Sequence, residues 1–241
     1  MVDALFADTR LAPLYDDFDG PRDDLDHYVS IAHEFRARSV LDVGCGTGSL
    51  ALRLAGEGLR VIGIDPAPAS LQVAQGKAGA AEVRWVHADA AHLPPMTVDL
   101  AVMTGNVAQV FLSDEEWISA LRGIRGTLRN GGRLVFESRR PDYRAWEEWG
   151  REEPQTLVAG PNRERVTRRC TLTRVALPLV SFRNEFTFAD GSSLTSSSTL
   201  RFRSLEELET SLATAGFRTL DVRQAPDRPE REFVVIAQKW E

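Results

Sequence analysis

The sequence predicts an α/β chain organised around a doubly wound, mostly parallel sheet with a small antiparallel β insertion. Three observations predict it. Apolar strand-like runs alternate with amphipathic stretches of helix length, the first run passes through an acid into alternating glycines and a helix, and one later stretch alternates residue by residue.

The first element is Ser39-Val-Leu-Asp-Val-Gly-Cys-Gly-Thr-Gly-Ser-Leu50, a strand, a sharp turn and a helix start. Gly44, Gly46 and Gly48 recur at two-residue spacing, which lets a ligand lie directly on the backbone. A dinucleotide-binding turn, Gly-x-Gly-x-x-Gly/Ala, would need its third small residue where Ser49 stands, and Asp42 would oppose a pyrophosphate. An acid there suits a cationic ligand instead. Two further strand-like runs end in acids, Val61 to Asp65 and Val83 to Asp89. The carboxyl ends of strands form the ligand crevice of a doubly wound sheet, so the three acids should converge. Asp65 follows Gly48 at close to the roughly 20-residue spacing expected of an acid that binds ribose hydroxyls. Asp89 is suited to an exocyclic amine. The expected ligand therefore has a ribose, an adenine and a cationic end near Asp42, without a pyrophosphate.

On these residues the chain resembles the class I S-adenosylmethionine-dependent methyltransferases, whose Asp/Glu-x-Gly-x-Gly-x-Gly motif matches Asp42 to Gly48 without departure. The resemblance is strong over residues 10–140 and looser near the C-terminus. It implies a Rossmann-like, doubly wound sheet of seven strands, mostly parallel with one antiparallel strand, and S-adenosyl-L-methionine as cofactor. It also implies a cofactor-binding set: Tyr15 in an N-terminal lid, Asp42, Gly44, Cys45, Gly46 and Gly48 in the turn, Asp65 with Pro66, Asp89 with Ala90, and Met103 and Thr104 where the strand from Val98 borders the methionine end. The expected organisation is a single methyltransferase domain. Within it, residues 1–38 form the lid and helical segment, 39–138 the cofactor-binding core, 139–203 a β insertion capping the acceptor side, and 204–241 a closing helix and hairpin.

Local signals support these divisions. Ser113-Asp-Glu-Glu116 and Ser204-Leu-Glu-Glu207 read as capping boxes. Trp117, Leu121, Ile124 and Leu128 follow the first at helical spacing, with Asn130-Gly-Gly132 as the expected stop before a strand at Arg133–Glu137. Leu205, Leu208 and Leu212 follow the second until Gly216, ahead of strands over Phe217–Arg223 and Glu232–Gln238. The insertion alternates as strands over Arg165–Arg174, Leu177–Phe188 and Leu194–Arg203, with Ala189-Asp-Gly-Ser192 turning between the last two. Because all three acids precede it, replacing residues 151–200 by a linker is expected to spare cofactor binding.

Composition narrows the partners. With 241 residues, 43% of them apolar and 27% charged, the chain can bury one sizeable core. A formal net charge of −6 disfavours nucleic acid as a partner. Neither a leader-like segment nor an apolar run of about 18 residues is present, so the expectation is a cytoplasmic chain without a membrane span, monomeric or homodimeric. Cys45 and Cys170 lack the spacing of a disulfide framework or zinc site. His87, Asp89 and His92 carry ligand chemistry at close spacing, but Asp89 is assigned to the adenine, so no metal is expected.

Methyl transfer from a sulfonium depends mainly on alignment, since the leaving group departs neutral. The catalytic candidates are His27 on the helix over Asp24–Arg36, and Glu137, Arg139 and Tyr143, which follow the fifth strand toward the crevice. After the fourth strand the chain reads Thr104-Gly-Asn-Val-Ala-Gln109, without the Asn/Asp-Pro-Pro-Tyr/Phe motif common where nucleic-acid or protein amides are methylated. The expected function is methyl transfer to an O or N atom of a small molecule. The alternatives are an RNA or protein methyltransferase, or a non-catalytic cofactor-binding protein on the same fold.

Overall fold

The structure, a computed structural model, describes residues 2–240. Its strands are β1 (Ser39–Val43), β2 (Arg60–Asp65), β3 (Val83–His87), β4 (Val98–Met103), β5 (Leu128–Arg139), β6 (Gln155–Ala159), β7 (Glu164–Ala176), β8 (Leu179–Phe188), β9 (Ser193–Arg201), β10 (Phe217–Arg223) and β11 (Glu232–Lys239). Its α-helices are α1 (Ala4–Ala7), α2 (Tyr15–Asp19), α3 (Leu25–Glu34), α4 (Ser49–Gly56), α5 (Pro68–Gln75), α6 (Asp114–Thr127), α7 (Trp146–Trp149) and α8 (Leu205–Thr214).

Seven strands form one sheet in the order β10-β11-β5-β4-β1-β2-β3, parallel except where β11 pairs with β5 and β10. The strand order reverses between β1 and β4, which opens the crevice at the carboxyl ends of those strands. Because β11 runs against β5, its first residue, Glu232, lies opposite Arg139 at that same edge. Leu25, Ile31, Leu50 and Leu54 of α3 and α4 pack with Val40, Val102 and Val135 on one face. Trp117, Leu121 and Ile124 of α6 and Leu212 of α8 pack with Leu41, Met103 and Phe136 on the other. Both capping boxes are present, and the buried Trp117 Nε1 donates to Ser211 Oγ at 2.8 Å, joining α6 to α8.

Asn130-Gly-Gly132 does not end α6, as the spacing predicts. The chain leaves the helix at Leu128, already extended, and residues 129–132 bulge from β5, where the partner register steps from Val98↔Leu128 to Leu100↔Arg133. A glycine in the left-handed region serves a bulge as well as a helix end, and Gly131 has φ +71°.

The insertion is a separate antiparallel sheet, β6-β7-β8-β9, with the turn at Ala189–Ser192 closing β8 onto β9. β6 is an additional strand beyond the three expected; five residues after two glutamates and a proline carry too little alternation to be read. The N-terminal segment packs on this sheet. Leu11, Leu14 and Phe18 cluster with Ala159, Val166, Phe186 and Phe188, and the Leu5 N–H donates to Ser196 Oγ at 2.8 Å. Arg203 anchors the return to the core, fully buried and donating to the carbonyls of Phe111 and Ser113 at 2.8 and 3.1 Å. Trp146 packs edge-on against Phe202, centroids 4.7 Å apart, as a structural contact. No described helix is long and apolar enough to cross a membrane.

Candidate active site

The turn after β1 is built from three left-handed glycines with different neighbours. A Cβ on Gly44 (φ +70°) would lie 2.6 Å from a Val107 methyl, and one on Gly48 (φ +84°) would lie 2.5 Å from the Trp85 ring. Those two glycines therefore admit protein side chains against the turn. Gly46 (φ +53°) is different: nothing lies within 4 Å of its ideal Cβ, so the space above its backbone is open. The amides of Gly44 and Cys45 both donate to the Ile64 carbonyl at 2.9 Å, which ties the turn to β2. Cys45 is buried, and burial raises its thiol, so it serves as packing.

Asp42 and Asp65 flank this turn from adjacent strands. Asp42 is 1% exposed with Oδ2 unpartnered among the described residues, and burial, followed by the nearby Asp65, pushes its carboxyl up to about 7. Asp65 accepts from Gly46 N–H at 2.8 Å and from Ala67 N–H at 2.8 Å, and burial raises it too. An orphaned buried acid and an open glycine backbone fit a cationic, ribose-bearing ligand.

The other residues expected at a cofactor lie as follows. Asp89, more than half exposed, accepts from the amides of Ala91 and His92 at 2.9 Å and pairs with the His92 ring, which holds its carboxyl below the usual range despite partial burial. The His92 ring thus closes on Asp89, and no group of metal-ligating side chains is present among the described residues. Pro66 is exposed beside the His87 ring. Ala90 and Met103 are buried in the core beside α6, so only their backbones can line the crevice. Thr104 is half-buried where β4 ends.

Tyr15 belongs to a strap across the glycine turn. Its ring lies 5.5 Å from Phe6, and burial with Asp19 nearby pushes its hydroxyl up to about 12. Asp16 accepts from Thr47 Oγ1 at 2.5 Å and pairs with Lys77 at 2.5 Å, so α2 is fastened to the turn and the end of α5. Arg22, held by Asp19 at 2.8 Å and Asp24 at 2.9 Å, adds positive charge near Tyr15 and Asp42. Sequence reasoning missed it, because a lone arginine between two short helices carries no periodic signal.

The catalytic candidates divide. Glu137 is fully buried at the crevice edge: it accepts from the Tyr28 hydroxyl on one oxygen and from the Asn106 N–H, at 3.0 Å, on the other. Burial, then the Glu232 carboxylate, raises it. Arg139 donates to Gln109 Oε1 at 3.1 Å, lies over the Trp149 ring and reaches within 3.8 Å of Glu232. His27 touches this cluster only through the Tyr28 ring, edge-on with centroids 5.7 Å apart, and Tyr143 is not brought to it. His27 stands among Arg223, Asp227 and Glu34 with its pKa lowered chiefly by burial, and Tyr143 donates to Glu148 at 2.5 Å under Arg231. Sequence reasoning missed Tyr28, Asn106 and Glu232. Glu232 ends the charged run Asp227-Arg-Pro-Glu-Arg-Glu232, which reads as a solvated loop until the sheet turns its last residue inward.

Comparison with known proteins bears on the fold and on the segment that carries the glycine turn. Residues 40–132 match the methyltransferase-domain family. The cypemycin N-terminal methyltransferase of Streptomyces is 34% identical over 115 residues, 47% of this chain and 47% of that protein, so the chain spans about half the length of this curated relative. Among solved structures, the CcbJ methyltransferase of Streptomyces caelestis superposes with a TM-score of 0.77 at 20% identity, covering 97% of each chain. A sugar N-methyltransferase of Streptoalloteichus gives 0.75 at 20% identity, covering 91% of this chain and 88% of that one. At those identities the likeness is one of fold.

Proposed function

We propose that this chain, a class I S-adenosylmethionine-dependent methyltransferase by its domain match and its sheet order, transfers a methyl group from that cofactor to an O or N atom of a small-molecule acceptor by in-line displacement. One observation carries the reading: the open left-handed Gly46 backbone is held by the buried Asp65, in a turn that follows directly on the buried Asp42. Asp42 meets the cationic end, Asp65 the ribose and Asp89 the adenine side. When bound, the cofactor supplies an activated methyl on a sulfonium that leaves as a neutral thioether.

The chain's own residues then have positioning and exclusion to perform. The strap from α1 to α2 closes over the turn, and Tyr15 with Phe6 shields it from water. The Glu137 oxygens are both engaged, so this residue orients Tyr28 and Asn106 rather than standing free as a base. The insertion sheet, joined to the strap by an apolar cluster, caps the acceptor side. The test is mass spectrometry of cell extracts incubated with isotopically labelled cofactor, with and without the protein. A small molecule heavier by one labelled methyl, formed only with the protein, supports the reading; label confined to RNA or protein would replace it with the macromolecular alternative.

A further inference from the structure

We propose that Glu232 Oε2 and Asn106 Oδ1 form an acceptor subsite for an N–H-donating group, so that the acceptor is a primary amine rather than an alcohol or phenol. The inference rests on the methyltransferase reading and deepens it. Glu232 and Asn106 are each 2% exposed. Glu232 Oε1 accepts from Asn106 Nδ2 at 3.0 Å and from Arg228 Nη1 at 3.1 Å, which uses one oxygen and leaves Oε2 without a partner among the described residues. Asn106 Nδ2 is spent on Glu232 and Glu137, and its Oδ1 is equally unpartnered. Buried polar atoms are nearly always satisfied, so two orphaned acceptors on adjoining residues indicate a missing donor.

The charges around the pair are two carboxylates, Glu137 and Glu232, and two guanidiniums, Arg139 and Arg228. Arg228 is committed to Oε1, and Arg139 stays beyond hydrogen-bond distance from that oxygen. A hydroxyl brings one hydrogen to two acceptors. A primary amine brings two, one for each oxygen, and keeps its lone pair for the methyl. The place is also right. Asn106 adjoins Val107, whose side chain lies against Gly44, so the pair sits beside the turn proposed to hold the cofactor.

The test uses the full chain saturated with S-adenosylhomocysteine and two probes on one ring, 4-aminotetrahydropyran and tetrahydropyran-4-ol, followed by ligand-observed NMR. The amine should bind at least about tenfold more tightly than the alcohol, the difference expected when buried acceptors are left unpaired. Glu232→Gln should remove that preference while leaving S-adenosylhomocysteine affinity, measured by calorimetry, unchanged. Asn106→Gly should do the same; it removes Oδ1 yet tolerates the left-handed backbone at φ +60°. Equal binding of amine and alcohol, or no binding of the amine because a water fills the subsite, overturns the proposal in the wild-type protein alone. Failure of the wild type to bind S-adenosylhomocysteine would instead overturn the methyltransferase reading beneath it.

Discussion

Asp65 holds Gly46: the acid that ends β2 accepts the Gly46 amide at 2.8 Å on one oxygen, while its other oxygen accepts the Ala67 amide at 2.8 Å. The same carboxylate therefore fixes the open backbone of the glycine turn and holds Ala67, the residue ahead of α5, with lone pairs remaining for ribose hydroxyls. Asp65→Ala should weaken S-adenosylhomocysteine binding by about 1.5 to 3 kcal/mol, the size of hydrogen bonds lost from a charged group. Calorimetry on the folded variant checks it, and unchanged affinity would remove Asp65 from the site.

The three turn glycines should separate by phenotype. Alanine at Gly44 or Gly48 drives a methyl into Val107 or Trp85 and should lower the thermal midpoint markedly. Alanine at Gly46 meets open space and carries only the left-handed backbone strain, about 1 kcal/mol. Gly46→Val should retain the fold by circular dichroism yet lose cofactor binding. Equal destabilisation at all three positions would show that Gly46 also faces protein.

Asp42 gives a pH signature whose sign follows from its raised carboxyl. The folded state keeps a proton on Asp42 up to about 7, whereas the unfolded chain releases it near 3.8. The folded state thus binds more protons in that window, and its contribution to stability falls as pH rises from about 4 to 7. Without cofactor, the difference in thermal midpoint between Asp42→Asn and wild type should grow across that range in favour of the variant. A pH-independent difference would mean that Asp42 is already paired.

The strap predicts the behaviour of the insertion. Leu11, Leu14 and Phe18 bury themselves against Ala159, Val166, Phe186 and Phe188, and Asp16 of the same segment grips Thr47 in the cofactor turn. Replacing residues 151–200 by a linker should therefore weaken S-adenosylhomocysteine binding, not spare it as their place after the three acids suggests. Phe186→Ala, a milder change, should cost about 3 to 5 kcal/mol of stability and lower cofactor affinity with it. Chemical denaturation and calorimetry on that variant decide whether the two losses occur together.

The sheet was legible in the sequence because its signals are local: apolar runs, two capping boxes and a glycine turn whose spacing excludes a pyrophosphate site. Asp42 and Asp65 were legible for the same reason, each standing where a strand ends. The buried cluster around Glu137 was legible only in part. Glu137 stands out at the end of the fifth strand, but its partners Tyr28, Asn106 and Glu232 come from a helix, a loop and an antiparallel strand, and only the β5–β11 register brings Glu232 to it. The strap's attachment to the insertion was equally hidden, since it joins residues more than a hundred positions apart through side chains that separately look like ordinary apolar residues.

Titration of S-adenosylhomocysteine and of NAD into the wild-type chain, followed by calorimetry, tests the central claim most directly. The account predicts saturable binding of one S-adenosylhomocysteine per chain, tighter as pH rises through about 7 as Asp42 ionises, and no binding of NAD. Absence of heat with S-adenosylhomocysteine, or comparable binding of NAD, would contradict it.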